Sequence, residues 1–403
     1  MSLTREENDR LTRVGPGTPM GSMMRQGHWI PAALSEKLVA DGTPLRVRLL
    51  GENYVAFRST DGRIGFFDEA CPHRGASLAL ARNEDNSLRC IYHGWKFHVS
   101  GVAVEVPTQA SHAAEFCKGV PLMHYLAREA GGIVWVWLGA GKDAPRFPDF
   151  EFTRIPASNR VVYKQTGNFN WLQAVETTMD SAHAGVLHQS HVASMTLSLA
   201  AESQAPVYEI EPAPGGFRYA GIRPLPDGSR YVRINTFALP WYGVIAPRQS
   251  PYQGGAVFFA IPIDDENSTY WTVRYRMDGP IEKDAITLFS DPADWPPAVP
   301  GDASNNWGQD RELMRNGHFT GFPQHITTED LVIATSQGPI VDRTREYLNS
   351  GDGALVRLRR VLLQAIDDVD SGTRAPDSLV DYSTLRGFAG VIPAGGDWRT
   401  LIA

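Results

Sequence analysis

Apolar residues along this chain keep two rhythms, and the rhythm changes near residues 45, 145 and 170. The first 45 positions are mostly polar, with Pro16-Gly17-Thr18-Pro19 forcing an early turn. They predict an arm leading into helical sequence, with a short helix or loop over 30–35. From 45 to 139 the apolar residues come in short β-rich runs split by turn residues. Residues 47–51, 54–58 and 64–67 read as strands, with Asp61-Gly62 as the hairpin turn between the last two. Ile133-Val134-Trp135-Val136-Trp137 is a further strand, and 139–145 has the composition of a linker. A first β domain of about 100 residues therefore closes near residue 145. The remainder mixes both rhythms. Residues 171–187 lack Pro and suit a helix, 207–276 form a series of strands with turns such as Pro226-Asp227-Gly228-Ser229, and 292–307 read as loop. Residues 328–335 and 355–366 read as helices, the second with apolar residues at 355, 356, 358, 361, 362 and 363 on a packed face. The predicted class is α+β, an all-β domain followed by a larger α+β domain.

Composition narrows the function. With 42% apolar and 21% charged residues, the chain is neither collagen-like, low-complexity nor disordered. A net charge of -7 without a basic stripe speaks against nucleic-acid binding. No apolar run approaches the roughly 18 residues of a membrane span. The opening Met1-Ser2-Leu3-Thr4-Arg5-Glu6 is polar and lacks the apolar centre of a signal peptide. Three cysteines, an odd and small number, do not suit a secreted disulfide framework. Together these predict a cytoplasmic protein. No G-x-G-x-x-G or P-loop is present, so no nucleotide site is signalled.

Two of the cysteines carry chemistry. Cys71-Pro72-His73-Arg74-Gly75 and Cys90-Ile91-Tyr92-His93-Gly94-Trp95 read C-x-H, sixteen residues, C-x-x-H. Each loop offers one thiolate and one imidazole. That suits a [2Fe–2S] cluster with two Cys on one iron and two His on the other, the Rieske type. A structural Cys₂His₂ zinc site is the competing reading, although zinc fingers usually group the two Cys in one knuckle and the two His in the other. Cys117 lies outside both loops and reads as a thiol without a role.

A second segment holds Glu176, Asp180, His183 and His188. Asp180 and His183 are three apart and share a helix face. His183 and His188 are five apart, so a continuous helix would splay them by roughly 140°. To converge on one metal the helix must break, and Gly185 makes a break there cheap. Two His and a carboxylate with open positions form the facial triad of mononuclear non-haem iron oxygenases. Core or surface histidines are the competing reading.

The two loops and this segment resemble the Rieske non-haem iron oxygenases. Glu176, Asp180, His183 and His188 match the family's E-x-x-x-D-x-x-H-x-x-x-x-H stretch, with Thr177 where Asn is frequent. Thr327-Thr328-Glu329-Asp330-Leu331-Val332 resembles the helix supplying the third ligand. The resemblance implies Cys71, His73, Cys90 and His93 on the cluster and His183, His188 and Asp330 on Fe(II). Asp342 and Asp352 are alternatives to Asp330, Glu329 is a neighbour open to misassignment, and Thr327 and Thr328 also read as helix caps. It implies Asp180 as the bridge along which electrons pass between subunits, by way of His183 and the partner's His93 or His73. It further implies a head-to-tail homotrimer or a dimer of trimers, because the two metal sites of one chain lie too far apart in this family. The implied architecture is an arm (1–44) packing on the catalytic domain, a Rieske domain (45–145), and a catalytic domain (146–403) with an antiparallel sheet flanked by helices, of helix-grip type. Residues 11–21 and 336–346 look like the phthalate dioxygenase-like branch. That branch uses O₂ and electrons from a separate flavin and iron–sulfur reductase, or ferredoxin plus reductase, to hydroxylate or O-demethylate aromatic acids. Arg230, Arg233 and Arg248 are candidate carboxylate anchors, with Arg223 beside them. Desaturation or N-dealkylation of a non-aromatic substrate, a pure electron-transfer protein, and a zinc protein are the alternatives.

Overall fold

The computed structural model describes residues 2–141, 143–193, 198–202, 205–246, 254–281, 299–372 and 380–402. They form two compact units, Val14–Phe147 and a second built from Met1–Arg13 with Pro148–Ala403.

The first unit is three small antiparallel sheets. Strands β2 (Leu45–Leu49), β3 (Glu52–Arg58) and β4 (Ile64–Asp68) form one meander. Strands β5 (Arg82–Glu84), β6 (Ser87–Arg89), β7 (Lys96–His98) and β8 (Ala103–Glu105) form another. Strands β1 (Ile30–Leu34), β10 (Ile133–Trp137) and β9 (Leu126–Ala130) pair in the order β1-β10-β9. The central β10 is buried at all five positions, which is why its sequence is continuously apolar rather than alternating. Residues 30–35 are thus not the expected helix or loop. Pro31 is tolerated because β1 is an edge strand and its register slips between Pro31 and Ala33.

The second unit is built on an antiparallel sheet. Strands β11 (Arg160–Gly167), β12 (Val207–Ala213), β13 (Gly216–Pro224), β14 (Arg230–Ala238), β15 (Tyr242–Ile245), β16 (Gly254–Pro262) and β17 (Ser268–Arg276) lie in the order β11-β17-β16-β15-β14-β13-β12. Strand β18 (Phe388–Ile392) pairs with the first half of β14. Helices Trp171–Met179, Ile326–Ser336 and Gly353–Asp370 belong to the same unit. The first packs on the sheet, where Thr178 Oγ1 lies 2.8 Å from Tyr270 Oη and a Cβ at Gly243 would lie 2.4 Å from Thr178 Cγ2.

The boundary expected at 44/45 falls elsewhere in the structure. Only Met1–Arg13 joins the C-terminal unit, through Trp171 Nε1 to the Leu11 carbonyl (3.2 Å) and the Asn170 amide to the Thr12 carbonyl (2.9 Å). Residues 14–44 belong to the N-terminal unit. Arg25 donates to the Leu50 carbonyl at 2.7 Å, Trp137 Nε1 to the Gln26 carbonyl at 3.0 Å, and β1 completes the β10 sheet.

Candidate functional site

The two Cys-His loops fold alike. Cys71 N–H donates to Ala76 O and Gly75 N–H to Cys71 O, both at 2.8 Å. Cys90 N–H donates to Trp95 O at 2.8 Å and Gly94 N–H to Cys90 O at 2.9 Å. Closing each turn needs a left-handed residue, supplied by Gly75 (φ 73°) and Gly94 (φ 77°). Both thiols are buried among Phe67, Leu78 and Phe97. The imidazoles stand nearer the surface, with the His73 and His93 ring centroids 4.5 Å apart. Burial pushes the Cys71 thiol up to about 11, with the adjacent Cys90 adding to it. A thiol so placed needs a metal's charge to remain a thiolate. Burial, then His73 and Arg74, holds the His93 imidazole below its usual range, and its buried Nδ1 has no hydrogen-bond partner. A pair of thiols behind a pair of imidazoles fits a Rieske cluster. Trp95 stacks on His73 at 4.5 Å, and the Arg74 guanidinium lies 5.5 Å from the Tyr92 ring centre. Cys117 is buried in the same core.

The second site begins where the Trp171–Met179 helix stops. The break comes at Asp180, earlier than Gly185. The Asp180 side chain accepts the Ala182 N–H at 2.7 Å, a local bond that competes with further helix. Residues His183–Gly185 then form a single 3₁₀ turn. Asp330 comes from the Ile326–Ser336 helix, whose N-cap is His325, accepting the Thr327 N–H at 3.1 Å; Thr327 and Thr328 are not the cap.

The structure brings His183, His188 and Asp330 together, with one ligand atom of each within 4.8 Å of the others. Asp330 Oδ1 lies 3.1 Å from His188 Nε2 and 3.5 Å from His183 Nε2. Ligand atoms at about 2.1 Å from one metal ion stand about 3 Å apart when adjacent, so the spacing suits a shared ion. Asp330 Oδ1 is buried without a hydrogen-bond partner, as an atom reserved for a metal would be. Burial alone would lower the His188 pKa, but Asp330 and Glu329 override it and raise it to about 9. That concentration of negative charge favours a cation.

Around this triad stand Glu329 and Asp180, named from the sequence, and Thr320, which was not. Glu329 is fully buried, and its Oε2 accepts from His188 Nδ1 at 2.7 Å. It therefore orients a candidate ligand instead of being one. Thr320 donates to its other oxygen. Asp180 Oδ2 lies 3.5 Å from His183 Nδ1, on the ring edge away from Asp330. Burial would raise the Asp180 carboxyl, but the His183 ring and the Ala182 N–H outweigh it. Asp342 and Asp352 are elsewhere, each tied into a local turn.

The candidate anchors separate. Arg230 donates to the Gly396 carbonyl at the start of β14. Arg233 is buried on β14 and donates to the Ala246 carbonyl at 3.1 Å. Arg248 lies outside the described residues. Arg223, on β13, is fully buried.

Comparison with known proteins agrees with this geometry. Residues 28–123 match the Rieske [2Fe-2S] domain and 136–403 the LigXa C-terminal domain-like family. The chain is 34% identical to the 3-chlorobenzoate-3,4-dioxygenase oxygenase subunit of Comamonas testosteroni, over 99% of this chain and 98% of the relative. It is 35% identical to the phthalate 4,5-dioxygenase oxygenase subunit of Pseudomonas putida, over 98% and 94%. The fold is shared with dicamba monooxygenase bound to dicamba at a TM-score of 0.62 and 18% identity, covering 86% of this chain and 99% of that one. An intact pair of Cys-His loops, an N-terminal Rieske domain and full-length kinship with oxygenase subunits leave one placement: the chain belongs to the Rieske oxygenases, as a terminal oxygenase subunit using a [2Fe–2S] cluster and mononuclear non-haem iron.

Proposed function

We propose that this subunit oxygenates an aromatic carboxylic acid in a cytoplasmic catabolic system, taking electrons from a separate NAD(P)H-dependent reductase or ferredoxin pair. The observation that carries the reading is the near full-length kinship, at 34% and 35% identity, with oxygenase subunits named for 3-chlorobenzoate and phthalate. A buried cation in the catalytic sheet, Arg233, suits recognition of a carboxylate. Among the described residues no helix is long and apolar enough to cross a membrane.

In this reading Cys71, His73, Cys90 and His93 hold the cluster, and His183, His188 and Asp330 hold the iron. When bound there, the cluster would supply one-electron storage and the iron would supply O₂ activation. The chain's own groups do the rest. Glu329 accepts the Nδ1–H of His188, fixing the tautomer that leaves Nε2 free to bind metal. Asp180 Oδ2 lies 3.5 Å from the Nδ1 of His183 and, with its side chain 27% exposed, presents a carboxylate to the next subunit. We assign it as the bridge to the partner's cluster histidines, in a head-to-tail ring of three that closes without free ends. Exposed Ile91 and Tyr92 at the tip of the second loop offer apolar surface for that contact.

Single turnover tests the function. Chemically reduced protein is mixed with O₂ and a panel of phthalates, chlorobenzoates and methoxybenzoates, and products are read by mass spectrometry. A diol, phenol or demethylated acid is expected. Cluster reoxidation with no product from any acid, but with product from a tertiary alcohol or an N-methyl compound, would replace the aromatic reading with a non-aromatic one.

A further inference from the structure

Strand β13 reaches the turn carrying Asp180 from both sides. Tyr219 Oη donates to the Met179 carbonyl at 2.7 Å, and Arg223 Nη2 donates to the Ser181 carbonyl at 2.6 Å. The carbonyls immediately before and after Asp180 are thus tied to one strand. Tyr219 is itself held by the Asn235 amide, which donates to Tyr219 Oη at 2.8 Å, while Asn235 Oδ1 accepts the Ala246 N–H at 2.8 Å. Gly221 lies between Tyr219 and Arg223 on the same face of β13. A Cβ there would stand 3.2 Å from Ser181 Oγ and 3.5 Å from Arg223 Nη1, so the missing side chain lets the turn and the guanidinium close together.

Arg223 is costly for a single hydrogen bond. It is fully buried, and its Nε and Nη1 have no hydrogen-bond partner. Among the described residues, the charged and titratable groups that act most strongly on it are Arg233 and the tyrosines Tyr208, Tyr231 and Tyr219. A neutral donor would hold the Ser181 carbonyl with far less desolvation. What the guanidinium adds is a charge-assisted bond, about twice as strong as a neutral one, from a rigid planar fork. The turn it fixes is short. Asp180 Oδ1 accepts the Ala182 N–H at 2.7 Å, and Asp180 Oδ2 lies 3.5 Å from His183 Nδ1, so a shift of the Ser181 carbonyl moves the carboxylate.

We propose that Arg223, backed by Tyr219, is the positioning residue that fixes the Asp180 carboxylate for electron delivery to the iron site. The proposal rests on the reading of Asp180 as the bridge. The step is the passage of one electron from a reduced cluster to ferric mononuclear iron, with no bond made or broken in the chain.

The test uses the purified holoenzyme and needs no substrate. The mononuclear iron is oxidised with ferricyanide, the cluster is reduced by a flash-generated flavin radical, and its reoxidation is followed in the visible. Arg223→Met is expected to slow this transfer about 10- to 100-fold with iron and cluster contents unchanged, as misplacement by about 1 Å does. Arg223→Lys, which keeps one charged donor, should recover most of the rate. Arg223→Met combined with Asp180→Asn should be no slower than Asp180→Asn alone. A wild-type rate in Arg223→Met beside a slow Asp180→Asn, or slowing that multiplies in the double variant, overturns the proposal alone. A wild-type rate in Asp180→Asn overturns the bridge reading and this proposal with it. Metal-free protein gives an independent readout: the Ala182 amide should exchange with deuterium about tenfold faster in Arg223→Met, and unchanged exchange counts against the clamp. Should Arg223→Met lose iron, Tyr219→Phe decides, removing one hydrogen bond for an expected slowing of about fivefold; an unchanged rate there also overturns the proposal.

Discussion

At His188 two carboxylates divide one imidazole, Glu329 on Nδ1 at 2.7 Å and Asp330 facing Nε2 at 3.1 Å. The neighbours in sequence have opposite duties because successive helical residues point about 100° apart. Glu329→Gln should weaken iron binding about 10- to 100-fold and leave the cluster's visible spectrum intact, measured by iron titration of metal-free protein; full affinity in the variant would refute the orienting role. His183→Ala should keep the red-brown colour and lose turnover, whereas Cys71→Ser should bleach the protein. An unchanged spectrum in Cys71→Ser would remove the cluster assignment. The Cys and His of the first site were legible because their spacing is local and the combination is rare. The separation of Glu329 from Asp330 rested on the resemblance until the fold placed each against a different nitrogen. Arg223 carried no signal beyond that of other arginines, because the carbonyl it holds lies 42 positions away in sequence.

The helix Trp171–Met179 is the element on which the iron site hangs, and its anchor is an ionic network rather than apolar packing alone. Glu176 accepts from Arg343 Nη2 and from Arg359 Nε, each at 2.7 Å, and Arg359 also pairs with Glu346 at 2.6 Å. Arg343 reaches Asn8 Oδ1 at 3.3 Å, joining the N-terminal helix Arg5–Thr12 to the same cluster. Burial would raise the Glu176 carboxyl, but Arg343 and Arg359 hold it below its usual range. A carboxyl depressed in the folded state contributes stability that is present above its unfolded pKa of about 4.3 and is lost as pH falls through the lower folded value. Glu176→Gln leaves the buried Arg343 without its carboxylate, while Arg359 keeps Glu346, and should cost about 3–5 kcal/mol at neutral pH. Urea unfolding followed from pH 7 down to pH 3 should show wild-type stability falling toward that of the variant below about pH 4. Parallel curves, offset by a constant amount, would contradict the network's role. The motif containing Glu176 was visible in sequence, but the partners 167 and 183 positions away were not. Strand β1 escaped for a related reason. Five residues with Pro at the second position give no periodicity, and only their pairing with β10 makes them a strand.

Neither redox centre works without the other, yet each is built inside its own compact unit, the Cys-His loops in Val14–Phe147 and the triad in the C-terminal unit. The proposed Asp180 bridge places the linkage between them in the assembly. Asp180 is partly exposed beside His183, and the loop bearing His93 is flanked by exposed Ile91 and Tyr92. In the ring proposed for this subunit, one surface would give and the other receive, so that each cluster would serve the iron of the next subunit through a heterologous contact. Complementation follows from that geometry. Cys71→Ser chains keep the iron site and lack the cluster, whereas His183→Ala chains keep the cluster and lack the iron site. Each should be inactive alone. Co-expressed at equal amounts and co-assembled at random, a cluster-bearing chain precedes an iron-bearing one at about one quarter of ring contacts, so about a quarter of wild-type turnover should return. Electron transfer confined to one chain would return none, because no single chain then carries both centres.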